Sequence, residues 1–212
     1  MGEDPQSKCF PNMTMAGSAE WTLAAGRRLH ILRGCGMLVS SLAKGGAHMS
    51  VERVREYLKQ YGLEGRVKEF SVSSATVELA AQAVGVEAAR IAKTLSFHLG
   101  EGCVLVVAAG DARIDNRKFK ETFHTKAKML TADEALAMTG HAVGGVCPFA
   151  LPGGVRVCLD ASLRRFGTIY PAAGSASSAV ELSCEELQKS TGGEWVDVCK
   201  LPEACMESGP AS

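Results

Sequence analysis

The stretch IAKTLSFHLGEGCVLVVAAG, residues 91–110, constrains the fold more than any other. Two strand-like runs, about 91–98 and 103–109, flank a short segment holding Gly100 and Gly102, the pattern of an antiparallel hairpin. The second run is apolar without a break, as a strand covered on both faces would be. The first alternates. Ile91, Lys93, Leu95 and Phe97 fall on one face, and Ala92, Thr94, Ser96 and His98 on the other. Lys93 therefore sits on an apolar face, which is unfavourable unless its amine reaches water or partners. Three readings stay open: an edge lysine reaching solvent, a cation at a cleft floor that binds an anionic or carbonyl group or holds a water, and a Schiff-base lysine.

Around the hairpin, helices and strands interleave. SVERVREYLKQYGL predicts an amphipathic helix over 51–61, with Ser50 as N-cap and Val51, Val54, Tyr57 and Leu58 as the apolar stripe. A strand is expected near 67–72 and a helix over 76–84 closed by Gly85. A basic helix capped by Asp115 or Asn116 runs through Phe123, a short strand follows near 126–130, and Thr131 caps a helix over 132–139. Further strands are expected at 155–160, 167–172, 178–182 and 194–198, with a helix over 184–191 capped by Ser183. The order predicts an α/β (α+β) class: one domain, with a mixed, partly antiparallel sheet flanked by helices.

The domain is expected over 49–202, with 203–212 as a tail. Residues 1–48 show no sustained period and end in the linker-like KGGAH. They read as a disordered arm or a misassigned start, Met49 being the true first residue. A targeting segment fits less well, because Glu3 and Asp4 lead. No apolar run is long enough to span a membrane. The formal net charge is zero, so no global positive field marks a nucleic-acid binder. The eight cysteines include no C-x-x-C pair and no zinc-finger spacing, which suits free thiols in a reducing cytoplasm and no metal. Neither G-x-G-x-x-G nor a Walker A motif is present, so no cofactor is expected.

Three stretches carry candidate chemistry besides Lys93. GHAVGGVCPF, 140–149, has adjacent Gly144 and Gly145 that let a ligand approach the backbone, with Pro148 stiffening the far side; such a loop can offer N–H groups to a developing oxyanion, or be a surface connection. Within it, Cys147 with His141 forms a conceivable thiol–base pair, against the plainer reading of a small residue before proline. RIDNRKFKETFHTKAK, 113–128, places Arg117, Lys120 and His124 on one helix face and Phe119 and Phe123 on another, with Lys118 adding charge. That face can be solvated or can touch RNA phosphates. Glu185 and Glu186 suit a helix first turn and read as structural.

The stretches AAQAVGVEAARIAKTLSF (80–97), DNRKF (115–119), TGHAVGGVCPF (139–149) and TIYPAAG (168–174) together resemble the YbaK/EbsC family, over essentially the whole domain. That family includes free-standing aminoacyl-tRNA deacylases and the editing insertion of prolyl-tRNA synthetase. The resemblance implies metal-free hydrolysis of the ester joining a wrong amino acid to tRNA, without a covalent nucleophile. It makes Lys93 the characteristic lysine, anchoring the terminal phosphate or ribose, and Gly144, Gly145 and Pro148 the loop that places the ester, with His141 and Gly174 beside the substrate. Arg117, Lys118 and Lys120 become candidate tRNA contacts. The implied partners are aminoacyl-tRNA and a synthetase such as prolyl-tRNA synthetase; the alternative is an inactive tRNA- or synthetase-binding module. Members specialised for cysteinyl-tRNA carry tyrosine at the position of Phe70, an acidic residue at Ala179 and a basic pair at Ser175 and Ala176. This chain departs at all of these. Ser73, Ser74 and Thr76 instead suit a small or hydroxylated amino acid.

Overall fold

The computed structural model describes residues 42–71 and 76–202. Most of the expected 1–48 extension, the 203–212 tail, and Ser73 and Ser74 lie outside the described residues. Helix α1 spans Leu42–Lys59, so KGGAH lies within a helix rather than in a linker, and Ser50 is not its N-cap. Good helix formers on either side (Leu42, Ala43, Lys44, Ala47) offset two glycines that each disfavour a helix by about 1 kcal/mol. The predicted stripe holds: Val51, Val54 and Leu58 are buried in the main core and Tyr57 packs against it.

Strand β1 (Val67–Glu69) leads to α2 (Val77–Val84), capped by the Thr76 hydroxyl and closed by Gly85 in the left-handed region. The hairpin follows as β2 (Ile91–Leu99) and β3 (Gly102–Ala109), antiparallel from Ala92 opposite Ala109 to Leu99 opposite Gly102. A two-residue β4 (Arg113–Ile114) precedes α3 (Asn116–Phe123), whose N-cap is Asp115, accepting from the Arg117 and Lys118 N–H groups. The helix ends at Phe123. His124 is its left-handed C-cap, so it does not extend the Arg117–Lys120 face. Thr131 opens α4 (Ala132–Thr139) through a full capping box with Glu134. Then come β5 (Arg156–Asp160), β6 (Tyr170–Pro171), β7 (Ser178–Val180), α5 (Cys184–Thr191), β8 (Glu194–Val196) and β9 (Cys199–Lys200).

A five-stranded mixed sheet runs in the order β6-β2-β3-β5-β8, antiparallel only between β2 and β3. Central β3 is buried from Cys103 to Ala109, as its unbroken apolar run demands. Phe97 of β2 meets Phe119 of α3 at 4.9 Å between ring centroids, and Phe119 meets Phe123 at 4.6 Å. Two small pairs complete the fold, β1 with β7 and β4 with β9. The strand expected near 126–130 reduces to one bridge, Met129 to Phe97. The strands after residue 166 are shorter than expected: β6 keeps two residues, and β7 and β8 three each. Among the described residues the five cysteines are free thiols, and no helix is long and apolar enough to cross a membrane.

Candidate active site

A cleft of about 540 Å³ opens where the β2 edge loses its neighbours. Even-numbered residues of β2 turn their backbone groups to this edge: Leu130 N–H donates to Ser96 C=O at 3.0 Å, and His98 N–H donates to Lys128 C=O at 2.9 Å. On the other side, β6 pairs with β2 only at Ile91 and Ala92. The gap between falls at Thr94. Its walls are the first turn of α2 (Thr76, Val77, Ala80), the Met129–Leu130 segment, loop residues Val143, Gly144 and Val146, and Tyr170, Ala172, Ser175, Ser178 and Ala179.

Lys93 lines this cleft, half-buried. Its ammonium donates to the carbonyls of Gly110, at 3.0 Å, and Ala112, so one of three donors is left. Burial lowers its pKa, against opposing pulls from the neighbourhood of Cys199 and Asp111. The amine is therefore not the solvent-seeking head of an edge lysine; it is a fixed charge tied to the turn after β3.

Gly144 sits in the left-handed region at φ +90° with its wall position against Ala176. Gly145 lies under it, buried. A Cβ there would stand 2.7 Å from Ser175 Cα and 2.9 Å from Gly174 O, so the loop can pack against the 174–176 backbone only without a side chain. The Gly145 N–H already donates to Ala142 C=O at 2.9 Å, which corrects the expectation that it offers an N–H to substrate. Gly145 shapes the loop, and Gly144 and Val146 face the cleft.

Behind the loop is a buried support. His141 is fully buried, with Nδ1 3.1 Å from Ser50 Oγ and Nε2 2.9 Å from Phe149 O. It does not line the cleft, since burial keeps it beneath the loop. Cys147 Sγ lies 3.5 Å from the same Nε2, so thiol and imidazole do face each other. Both are nonetheless fully buried, burial pushes the thiol up to about 12, and burial lowers the imidazole. A neutral thiol beside a neutral imidazole without access to the cleft has no nucleophilic role. Arg53 adds a bond to Gly140 C=O at 3.2 Å. Ser50 and Arg53 thus hold the loop from α1. Sequence reasoning missed both, because nothing local marks a helix residue whose partner is about ninety positions away.

The remaining expected residues divide. Thr76, Ser175 and Ala179 line the cleft. Phe70 does not: its N–H donates to Ser177 C=O at 2.7 Å, extending the β1–β7 pairing. Pro148 and Gly174 are buried, Gly174 against the Ser50 carbonyl. Arg117, Lys118 and Lys120 lie on α3, outside the cleft lining. Lys118 is engaged by Asp197 at 2.7 Å and Cys199 C=O at 3.0 Å, and Arg117 by Glu121 at 3.0 Å. Among the described residues no group of three His, Cys, Asp or Glu side chains is arranged to hold a metal ion.

Comparison with known proteins agrees with this fold. The chain is 53% identical over 155 residues to the uncharacterized protein YwhH of Bacillus subtilis (strain 168), covering 72% of this chain and 98% of that one. It superposes with a TM-score of 0.66, at 30% identity, on the crystal structure of a protein provisionally assigned as a trans-editing enzyme for prolyl tRNA synthetase, covering 71% of this chain and 97% of that one. The hypothetical protein APE2540 gives a TM-score of 0.64 at 31% identity, with coverage of 70% and 99%. The model of the aminoacyl-tRNA editing domain matches residues 72–190, a span that holds Lys93, the glycine loop and every lining residue of the cleft, and the chain belongs to that family.

Proposed function

We propose that this chain is a free-standing trans-editing hydrolase that deacylates mischarged aminoacyl-tRNA. The observation that carries the reading is the cleft itself: a fixed cation, Lys93, and the glycine loop meet at an open strand edge within the span matched by the editing-domain model. In the reaction a water oxygen bonds to the ester carbonyl carbon. The bond from that carbon to the ribose oxygen breaks, and the water's proton ends on the ribose hydroxyl. Lys93 anchors the oxygens of the terminal nucleotide, its remaining donor turned to them. The backbone at Gly144 places the ester, and Pro148 and Gly174 keep that loop and its neighbour in shape. Thr76 contacts a small amino acid, as do Ser73 and Ser74 in this reading. Small Ser175 and Ala179 leave the wall uncharged, which suits a small neutral side chain. Arg117 and Lys120 are candidate phosphate contacts. The reaction as proposed uses no metal, cofactor or covalent nucleophile, and takes place in the cytoplasm. Prolyl-tRNA synthetase is a candidate partner.

The test is a panel of mischarged prolyl-, alanyl-, cysteinyl-, seryl- and threonyl-type tRNAs incubated with the protein and with Lys93→Ala. At least one is expected to be deacylated, with Lys93→Ala slower by about 100-fold or more. Retained tRNA binding with no deacylation of any substrate would sink the hydrolase and leave a binding module. Borohydride trapping at Lys93 would instead reveal a Schiff base.

A further inference from the structure

The β2 edge is interrupted for the length of one residue. Ala92 is the last position paired with β6, and Ser96 is the next whose backbone bonds outward, to Leu130. Thr94 lies between them, with the same parity. Opposite residues in an antiparallel ladder alternate between exchanging two hydrogen bonds and exchanging none. Since Ser96 and His98 point outward, the Thr94 N–H and C=O point outward too, into the cleft that Thr94 lines. Among the described residues no backbone group takes up that pair. Its hydroxyl is also buried without a partner among them. An open strand edge is a template for another extended backbone.

The gap matches a particular ligand group. The ammonium, α-carbon and ester carbonyl of an aminoacyl ester are the backbone of a single residue. We propose that the aminoacyl group docks as a one-residue β-strand on Thr94, its α-ammonium donating to the Thr94 carbonyl and its ester carbonyl accepting from the Thr94 N–H. This deepens the hydrolase reading and rests on it for the identity of the ligand. The polarity agrees. Lys93 and Thr94 are successive residues and reach the cleft from opposite faces of β2. The Lys93 cation repels an α-ammonium and attracts the nucleotide's oxygens, so the amino group belongs on the Thr94 side. The Thr94 N–H would then meet the carbonyl oxygen where charge develops during attack. Directly opposed residues place their side chains on one face, so the substrate's side chain lies beside that of Thr94, and a rotation about χ1 turns the unpartnered hydroxyl toward it.

Amide analogues of alanyl-, seryl- and cysteinyl-adenosine, in which nitrogen replaces the ester oxygen, bind without being hydrolysed. Each is compared with its counterpart lacking the α-amine, while amide hydrogen exchange is followed by NMR in the full chain. We expect the Thr94 amide to gain protection on binding, whereas Leu95, paired into the hairpin, is protected already. We expect loss of the α-amine to weaken binding at least about tenfold. Thr94→Val keeps the strand and the docking, leaves thermal stability level or higher because it removes an unpartnered hydroxyl, and changes the preference among the three side chains; Thr94→Ser restores it. An unchanged Thr94 amide in the bound state, equal binding of analogues with and without the amine, or no binding overturns the docking. Hydrolysis of a mischarged tRNA with any of those results sinks the docking alone. Docking as described, with no mischarged tRNA hydrolysed, sinks the hydrolase reading alone.

Discussion

The glycine-loop wall and the basic face of α3 were both visible as candidate sites, and they are built on opposite principles. The wall is made of backbone. Gly145 packs on the 174–175 backbone, and behind it a buried relay runs from Ser50 through His141 to Phe149. The basic face is made of long side chains, and much of its charge is already spent: Arg117 on Glu121, and Lys118 on Asp197 and a carbonyl. The difference teaches that charge density in a sequence says little about what a surface is free to bind, whereas small residues forced into close backbone contact mark the built wall of a cleft.

The sharpest way to break this comparison is Gly145→Ala. The added Cβ must displace Ser175 Cα from 2.7 Å, moving the cleft wall by about an ångström. A shift of that size lowers kcat/KM by about 100-fold while the core, and hence the circular-dichroism spectrum, is unchanged. Full activity in this variant would mean that the loop is not a rigid wall. Next is His141→Asn, which leaves Ser50 and Phe149 under-bonded in a buried place and destabilises by about 2 kcal/mol in urea melts. It also has a pH signature. Burial lowers the folded-state pKa of His141, so below about 6.5 the unfolded chain binds a proton that the fold refuses. Wild-type stability therefore falls as pH drops through that value and is fully present above it. The variant's decline over the same range should be shallower, and an equal slope would place the pH response elsewhere.

What could be read from the sequence follows the range of the interactions. The hairpin, the Gly85 closure and the caps at Thr131 and Ser183 are set by neighbours within a few residues, and each stands where alternation and capping chemistry put it. Ser50 failed for the same reason: a serine before an apolar stripe looks like a cap, but its hydroxyl serves His141. Lys93 was legible as a residue on the wrong face, yet its amine's partners are carbonyls beyond the next strand. Thr94 was invisible. It sat on the polar face as any threonine can, and its openness depends on where β6 stops and where Lys128–Leu130 rejoins the edge. Those endings are tertiary facts: the β6 pairing stops at Ala92 opposite Pro171, and the bridge from Met129 to Phe97 sets the other end.

The smallest expected effects lie on α3, and there the ranking matters more than the size. Each phosphate contact contributes about 0.9 to the slope of log binding constant against log salt for a duplex. Lys120 is exposed and makes no ion pair among the described residues, so Lys120→Ala should flatten the slope for tRNA by about that amount if it touches phosphate. Arg117 must first leave Glu121, so Arg117→Ala should flatten it less. Lys118→Ala should leave the slope alone and lower thermal stability slightly, because its amine holds Asp197 and the Cys199 carbonyl rather than facing outward. Hydrolysis at saturating tRNA should be unchanged in all three, since none lines the cleft. A Lys118→Ala slope as flat as that of Lys120→Ala would show that the internal pairs on α3 open to meet RNA, and the contrast between a spent charge surface and a built backbone wall would fail.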